Sequence, residues 1–269
     1  MTEHLRGEAA GLLTGGGVVA LTGAGISQES GIPTFRDPGG IWERFDPDEY
    51  GTWEGVTRLA MERPDDLASF LSELRAAFAG AEPGPAHLAL VHLERAGLLD
   101  AVITQNVDGL HQEAGSRRVV EVHGSFSRTS CLACGHREAV SKTAFLEGLD
   151  RAILGLRTAF IASMASLLPG CSRCGGPARP DFVAFGEVPQ DLAEAEDLAR
   201  GARVLLVVGT HGEVHPAGAM PDEARRAGAT VIEVSRGATH IHADLRLRGE
   251  AGRVLPPLVE EAVAARGRS

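Results

Sequence analysis

Residues 17–27 read Gly-Val-Val-Ala-Leu-Thr-Gly-Ala-Gly-Ile-Ser, and residues 31–37 continue Gly-Ile-Pro-Thr-Phe-Arg-Asp. The apolar run from Gly17 to Leu21 has the length and composition of a short buried strand. Thr22, Gly23 and Gly25 then let the chain turn tightly. Nothing larger than Ala24 stands between the backbone amides and an incoming diphosphate. An oxidoreductase of the common dinucleotide-binding kind would run on into a helix and offer an acidic ribose-binding residue about 20 positions later. Here the helical stretch Ser27–Ser30 is cut short by Gly31 and Pro33. The loop that follows carries an aromatic, a cation and an anion in a row, Phe35, Arg36 and Asp37. Such a loop reads as a cover over a nucleotide, equipped for chemistry as well as binding.

The bulk composition narrows the class. The 269 residues are 43% hydrophobic, enough for one sizeable core and a smaller satellite domain. The net charge is -10, and Arg117-Arg118 and Arg225-Arg226 are isolated pairs, which argues against direct nucleic-acid binding. The first residues lack a charged region followed by an apolar one, and no apolar run approaches the ~20 residues of a membrane span. A cytoplasmic protein without membrane contact is expected. In that compartment four cysteines point to metal ligation before disulfides.

Along the chain, helical spacing covers Glu3–Leu13. Residues 38–80 read as a helical region with breaks at Pro47 and Pro64 and an apolar stripe of Leu67, Phe70, Leu71 and Leu74. Ala86–Ala96 is a further helix. Asp100–Thr104 and Val119–Val122 read as strands, as do Ala202–Val208 and Thr230–Val234, with a helix over Met220–Ala227 between the last two. A final helix over Val254–Ala265 is opened by Pro256-Pro257. Strands alternating with helices predict an α/β fold, a Rossmann-type doubly wound parallel sheet with a smaller zinc-binding plus helical domain. The large domain is assigned to residues 1–37, 81–127 and 178–269. The helical insertion 38–80 and the zinc-binding insertion 128–177 form the small one.

Cys131-Leu132-Ala133-Cys134 and Cys171-Ser172-Arg173-Cys174 are two C-x-x-C pairs, each followed by glycine, and they use every cysteine in the chain. This spacing aims two thiolates at one ion, and four thiolates fill a tetrahedral zinc site, leaving no position for a catalytic water. One structural Zn(2+) is expected. Residues 135–170 are more than the roughly 15–20 of a simple zinc ribbon, and Asp150–Leu168 reads as an added amphipathic helix. His136, close behind the second cysteine, is a spare candidate ligand.

Polar residues gather just after expected strand ends, where open parallel sheets bind ligands. Gln105, Asn106 and Asp108 follow one strand, within Thr104-Gln105-Asn106-Val107-Asp108-Gly109-Leu110-His111. They are equally compatible with a turn and an Asp-capped helix. His123, before Gly124, follows the next strand and is a candidate general base. Gly209-Thr210-His211-Gly212 is a second small-residue loop. Pro180–Glu187 mixes extended apolar residues with a Gly-Glu turn and is suited to receive an extended peptide by strand addition.

Together these segments resemble the sirtuins, the NAD-dependent protein lysine deacylases, from about residue 15 to 258. GAGIS at 23–27, GIPTFRD at 31–37, TQNVDGLH at 104–111 and HG at 123–124 carry the resemblance, with the paired cysteines, FGE at 185–187, GT at 209–210 and LP at 255–256 in order. The resemblance implies acyl-lysine proteins or peptides as substrates, NAD as cofactor, and free lysine, nicotinamide and O-acyl-ADP-ribose as products. It places Gly23, Ala24, Gly25, Ser27 and Arg36 at the diphosphate, with Phe35 covering the reactive ribose carbon. Gln105 and Asn106 would hold the nicotinamide ribose, Val107 and Asp108 the carboxamide, and His123 would be the base. Gly209, Thr210, His211, Ser235 and Ala251 would complete the cofactor contacts, and Val183, Phe185, Gly186 and Glu187 would flank the peptide.

The chain departs from that pattern at His211, where serine is usual, and at Ser235, where asparagine is usual. The zinc insertion is longer than usual. Leu71 and Leu74 align with a Tyr-x-x-Arg pair found in the branch that removes acidic acyl groups, so acetyl or longer aliphatic groups are expected here. An ADP-ribosyltransferase or NADase on the same scaffold is an alternative, as is a non-catalytic NAD-sensing module. Phe35, Asn106, Asp108 and His123 favour a catalyst, since a binder needs no base.

Overall fold

The computed structural model describes residues 3–34, 39–156 and 170–267. The expected covering residues Phe35, Arg36 and Asp37, and most of the expected 150–168 helix, lie outside them. The centre is a six-stranded, wholly parallel sheet of β1 (Val18–Thr22), β2 (Leu99–Thr104), β3 (Val119–Glu121), β7 (Val204–Val208), β8 (Thr230–Ser235) and β9 (Leu245–Arg248). Its order is β3-β2-β1-β7-β8-β9. Strands β1 and β7 are buried along their whole length, as their unbroken apolar sequences require of a sheet covered on both faces.

The pleat sorts the two faces. Val18 and Ala20 of β1, with Val204, Leu206 and Val208 of β7, join one core. Its helices are α1 (Glu3–Leu13), α5 (Pro85–Arg95) and α10 (Ala251–Arg266). Val19 and Leu21, with Leu205 and Val207, point the other way, into a core closed by α8 (Leu192–Gly201) and α9 (Met220–Arg226). Each fully buried Val or Leu contributes about 1.5–3 kcal/mol, which makes the β1–β7 pair the most strongly anchored part of the sheet.

The segment after β1 is two 3-10 turns, Ala24–Ile26 and Gln28–Ser30, in place of one short helix. Residues 41–80 form a 3-10 turn and three helices, α2 (Pro47–Tyr50), α3 (Trp53–Glu62) and α4 (Pro64–Gly80). Pro47 and Pro64 start helices, where a missing N–H is harmless, so they break the region by opening new elements. The last helix opens at Ala251, with Pro256 and Pro257 inside it, not at its start. The Glu29 carboxylate accepts the Gly252 N–H at 2.5 Å and fixes this earlier start.

A second sheet, β5-β4-β6, is antiparallel: β4 (Gly124–Cys131), β5 (Arg137–Ala139) and β6 (Ala178–Phe182). It runs from Gly124 to Phe182, past both ends of the 128–177 insertion. Helix α7 (Lys142–Leu156) begins earlier than the expected 150–168 helix and packs on α4. The short helix α6 (Leu110–Ala114) follows the 105–109 loop.

Strand order reverses between β1 and β7, and there the loops after the two strands meet backbone to backbone. Gly25 N–H donates to Gly209 O at 2.9 Å, and a Cβ on Gly25 would stand 2.7 Å from Gly209 Cα. Gly209 itself has φ +65, and a Cβ there would stand 2.5 Å from Ile26 N. Gly209→Ala is therefore expected to cost about 3 kcal/mol, combining left-handed strain with overpacking. Urea unfolding measures it; a change within experimental error would show that these loops are free to separate.

Candidate active site and metal centre

Strand ends deliver the polar residues to one place. Thr22 ends β1, and its carbonyl accepts the Gln105 N–H at 2.9 Å, so the loop after β2 is sewn to the loop after β1. Gln105 Nε2 then donates to Thr210 Oγ1 at 3.0 Å, joining the loop after β7. Gly23, Ala24, Gly25, Gln105, Gly209 and Thr210 thus form one continuous cradle of small residues and amides. A Cβ at Gly23 or Gly25 would strike Gly209 or Thr210, so glycine lets these two loops close on each other, and a loop of small residues beside a strand end suits the diphosphate of a dinucleotide.

Beneath this cradle runs a polar chain whose direction can be worked out. Gly84 N–H donates to His87 Nδ1 at 3.2 Å, so the His87 proton sits on Nε2, 3.4 Å from Ser27 Oγ. Ser27 Oγ donates its single proton to Asp108 Oδ2 at 2.7 Å. It therefore accepts from His87, and also from Asn106 Nδ2 at 3.0 Å. Asn106 Nδ2 lies 3.3 Å from Gly23 O as well, and Asp108 Oδ1 accepts Leu110 N–H at 2.9 Å. Burial raises the Asp108 pKa, and the donors from Leu110, Ser27 and Asn106 oppose that rise. Asn106 and Asp108 are thus held by fixed partners, as residues that orient a ligand must be.

His87 and His111 are the site residues that spacing did not single out. Their rings lie 4.9 Å apart, and His111 Nε2 is 2.9 Å from Thr22 Oγ1. Burial lowers the His87 pKa to about 4. It lowers that of His111 to about 3, helped by His87. The only sequence signal for His87 was a histidine among Ala86, Ala89 and Leu90 on a helix face.

His123 follows β3 and is half-buried. Its Nδ1 is 3.0 Å from Gln105 O. A carbonyl only accepts, so Nδ1 carries the proton and Nε2 keeps its lone pair. Burial lowers the His123 pKa, outweighing the rise caused by the Gln105 carbonyl. His123 O accepts Val183 N–H at 2.8 Å, which sets the segment from Val183 onward directly against His123.

Within that segment Val183 is half-buried, and Phe185 is 40% exposed with its ring 5.9 Å from Trp42. Glu187 is occupied by its own chain: Arg179, Trp53 Nε1 and Ala184 N–H all donate to it. Its role is to shape the loop around Gly186. Val107 packs with Leu74, Ile32 and Phe78. On the far side of the cradle, Ser235 Oγ accepts from Arg248 at 2.8 Å, and His211 O accepts His240 N–H. Ala251 is buried at the start of α10.

The four cysteine sulfurs lie within 4.8 Å of one another, with Cys131–Cys174 at 3.5 Å and Cys134–Cys171 at 3.8 Å. Zinc–sulfur bonds of about 2.3 Å in a tetrahedron put sulfurs about 3.8 Å apart, so the quartet fits Zn(2+). Among the described residues His136 does not join it. The centre joins β4 and the segment before β6, and takes no part in the cleft.

Two outcomes follow. The unfolded chain protonates both His87 and His111 near pH 6.5, the folded chain only near 4 and 3. Their stabilising effect is complete above pH 6.5 and is lost as pH falls toward 4, because the unfolded state then binds more protons. Urea unfolding at pH 7.5, 6.0 and 5.0 should show a loss approaching about 1.4 kcal/mol per pH unit for each histidine; a flat response would mean that they are not held neutral. Elemental analysis should find one zinc per chain, and Cys134→Ser should lose both the zinc and cooperative unfolding. A stable Cys134→Ser protein would contradict a structural centre.

The comparisons with known proteins agree with this geometry. The Sir2 family model matches residues 23–216. An NAD-dependent protein deacylase of Desulfosudis oleivorans is 41% identical over 266 residues, covering 97% of each chain. A solved Sir2 homologue in complex with NAD superposes with TM-score 0.76 and 32% identity, covering 96% of this chain and 94% of that one. Another, bound to a myristoylated histone peptide, gives TM-score 0.72 and 33% identity with full coverage of both chains. Sequence and fold thus match across nearly the whole molecule, and the chain belongs to the Sir2 family.

Proposed function

We propose that this protein removes acyl groups from lysine side chains of proteins at the expense of NAD, with His123 as general base. The observation that carries the reading is the His123 ring. Its Nδ1–H is committed to Gln105 O, its Nε2 is unprotonated at neutral pH, and its own carbonyl anchors the Val183 segment. NAD supplies nicotinamide as leaving group and ADP-ribose as acyl acceptor.

The residues of the chain divide the remaining work. The loops Gly23–Gly25 and Gly209–Thr210 cradle the diphosphate; the N–H groups of Gly23, Gly25 and Gly209 are committed to the Val208, Gly209 and Val234 carbonyls, which leaves the amides of Ala24 and Thr210 to meet it. Asn106 and Asp108, fixed through Ser27 and His87, orient the nicotinamide half. The neutral His87–His111 pair keeps positive charge out of the cleft floor. His123 Nε2 accepts a ribose hydroxyl proton and readies that oxygen to take the acyl group. An acyl-lysine peptide lies along Val183–Gly186 in extended form. Leu74, in the apolar cluster with Ile32, Phe78 and Val107, favours acetyl or longer aliphatic groups over acidic ones. We infer a reducing compartment such as the cytoplasm, where the thiolate quartet stays available to zinc.

Mass spectrometry of reactions with NAD and a panel of acyl-lysine peptides tests the reading. O-acyl-ADP-ribose should form only with peptide, and acetyl or longer aliphatic peptides should outperform succinyl ones. Equal nicotinamide release without peptide would replace deacylation by plain NAD cleavage. His123→Ala should still bind NAD but lose about 100-fold or more in acyl transfer. In the wild type the acid limb of the rate should lie below pH 6.5, since burial lowers the His123 pKa.

A further inference from the structure

Behind His123 lies a buried ionic cluster that none of the roles above uses. Glu121, at the end of β3, and Asp181, on β6, are 3% and 2% exposed. Arg128, on β4, stands between them: Nη1 donates to Glu121 Oε2 at 2.7 Å, and Nε donates to Asp181 Oδ2 at 3.1 Å. Asp181 Oδ1 accepts Gln190 Nε2 at 2.9 Å. Arg137, 42% exposed, reaches Asp181 only at 3.6 Å.

The backbone of the same residues encloses the base. Gln190 N–H donates to Val122 O at 2.9 Å, and Val183 N–H donates to His123 O at 2.8 Å. Gly124 has φ +75, and a Cβ there would overlap the Asp181 carbonyl, so β6 lies directly against the chain leaving His123. Pairing of β4 with β6 then shifts register between Ser125 and Thr129. At this irregularity the ladder alone does not hold the two strands in step, and Arg128 spans it.

Stability is a poor explanation for the cluster. One guanidinium, itself 29% exposed, does not recover the cost of removing two carboxylates from water; apolar side chains would do as well or better. Arg128 Nη2 and Gln190 Oε1 are also buried without hydrogen-bond partners. What the cluster does provide is direction, since the planar guanidinium reaches two carboxylates at a fixed angle.

We propose that Arg128 is a positioning residue for acyl transfer, a tie between the β3 end that carries His123 and the β6 end that carries the acyl-lysine strand. Rotation of either end relative to the other moves Nε2 away from its proton; the diphosphate cradle shares no residue with the cluster and touches His123 through the Gln105 carbonyl, the contact that yields. The inference rests on the deacylase reading and refines it. It separates two stages of the reaction. Departure of nicotinamide in exchange for the acyl oxygen moves no proton and needs no base. Transfer of the acyl group needs Nε2 in place.

The test is Arg128→Lys, which keeps the charge but lacks the fork that reaches both carboxylates. Calorimetry should give an NAD affinity within about twofold of wild type, because the cradle is untouched. Peptide-dependent exchange of labelled nicotinamide into NAD should persist within about threefold, while O-acyl-ADP-ribose formation falls about tenfold or more. In the protein without NAD, imidazole nitrogen NMR, assigned with His123→Ala, should show the His123 proton on Nδ1 in wild type and divided between the nitrogens in the variant. Exchange and transfer falling in proportion, or neither changing, would overturn the proposal. Glu121→Gln, which keeps shape and removes one charge, must show the same split and decides the matter if Arg128→Lys does not fold. Wild-type protein lacking peptide-dependent nicotinamide release would instead overturn the deacylase reading, before any variant is examined.

Discussion

The contact between Gly25 and Gly209 constrains everything above it. The two glycines lie in the loops that follow the central strands β1 and β7, and a hydrogen bond of 2.9 Å joins those loops with no room for a side chain. Because those strands are buried on both faces, the loops cannot drift along the sheet. Gln105 is tied to this pair through Thr22 O and Thr210 Oγ1, and His123 is tied to Gln105 O. The position of His123 is therefore inherited, one hydrogen bond at a time, from the close packing of these two loops.

Charge is managed by burial in this cleft. His87, His111 and His123 all have lowered pKa values because the cationic form would lose its hydration. Asp108 is buried too, but four hydrogen bonds act against the rise in its pKa. A neutral floor with one firmly hydrogen-bonded carboxyl group suits a reaction in which positive charge develops at a sugar carbon. A protonated histidine beneath that carbon would oppose the chemistry, and a wet pocket would offer water as a competing nucleophile.

Local features carried most of the fold. The run Val18–Leu21, the glycines after it and the two C-x-x-C pairs are read within a few residues, and each stands where its spacing placed it. Strands β4, β5 and β9 went unnoticed, and β6 was read only as part of the extended segment Pro180–Glu187, for a physical reason. The small sheet has three strands and one half-exposed face, so Gly124–Cys131 lacks a long apolar alternation. Strand β9 is only Leu-Arg-Leu-Arg, with two arginines half-buried or exposed. His87 looked like any histidine on a helix face, because its partners Ser27 and His111 come from distant segments. Arg128 sits between Ser127 and Thr129 with no local sign that Glu121 and Asp181 converge on it. Long-range pairing of charges is invisible to periodicity.

The metal centre connects these observations. Zinc joins the end of β4 to the turn before β6, and so closes one end of the strand pair whose other end touches His123. Register is irregular midway between them, at Ser125–Thr129. A metal tie at one end cannot by itself fix the other end across a break in the ladder. The cluster of Glu121, Arg128, Asp181 and Gln190 lies at that break and supplies the second restraint. In this geometry the two ends of the strand pair are held separately, the metal end by the four cysteines and the His123 end by the ionic cluster.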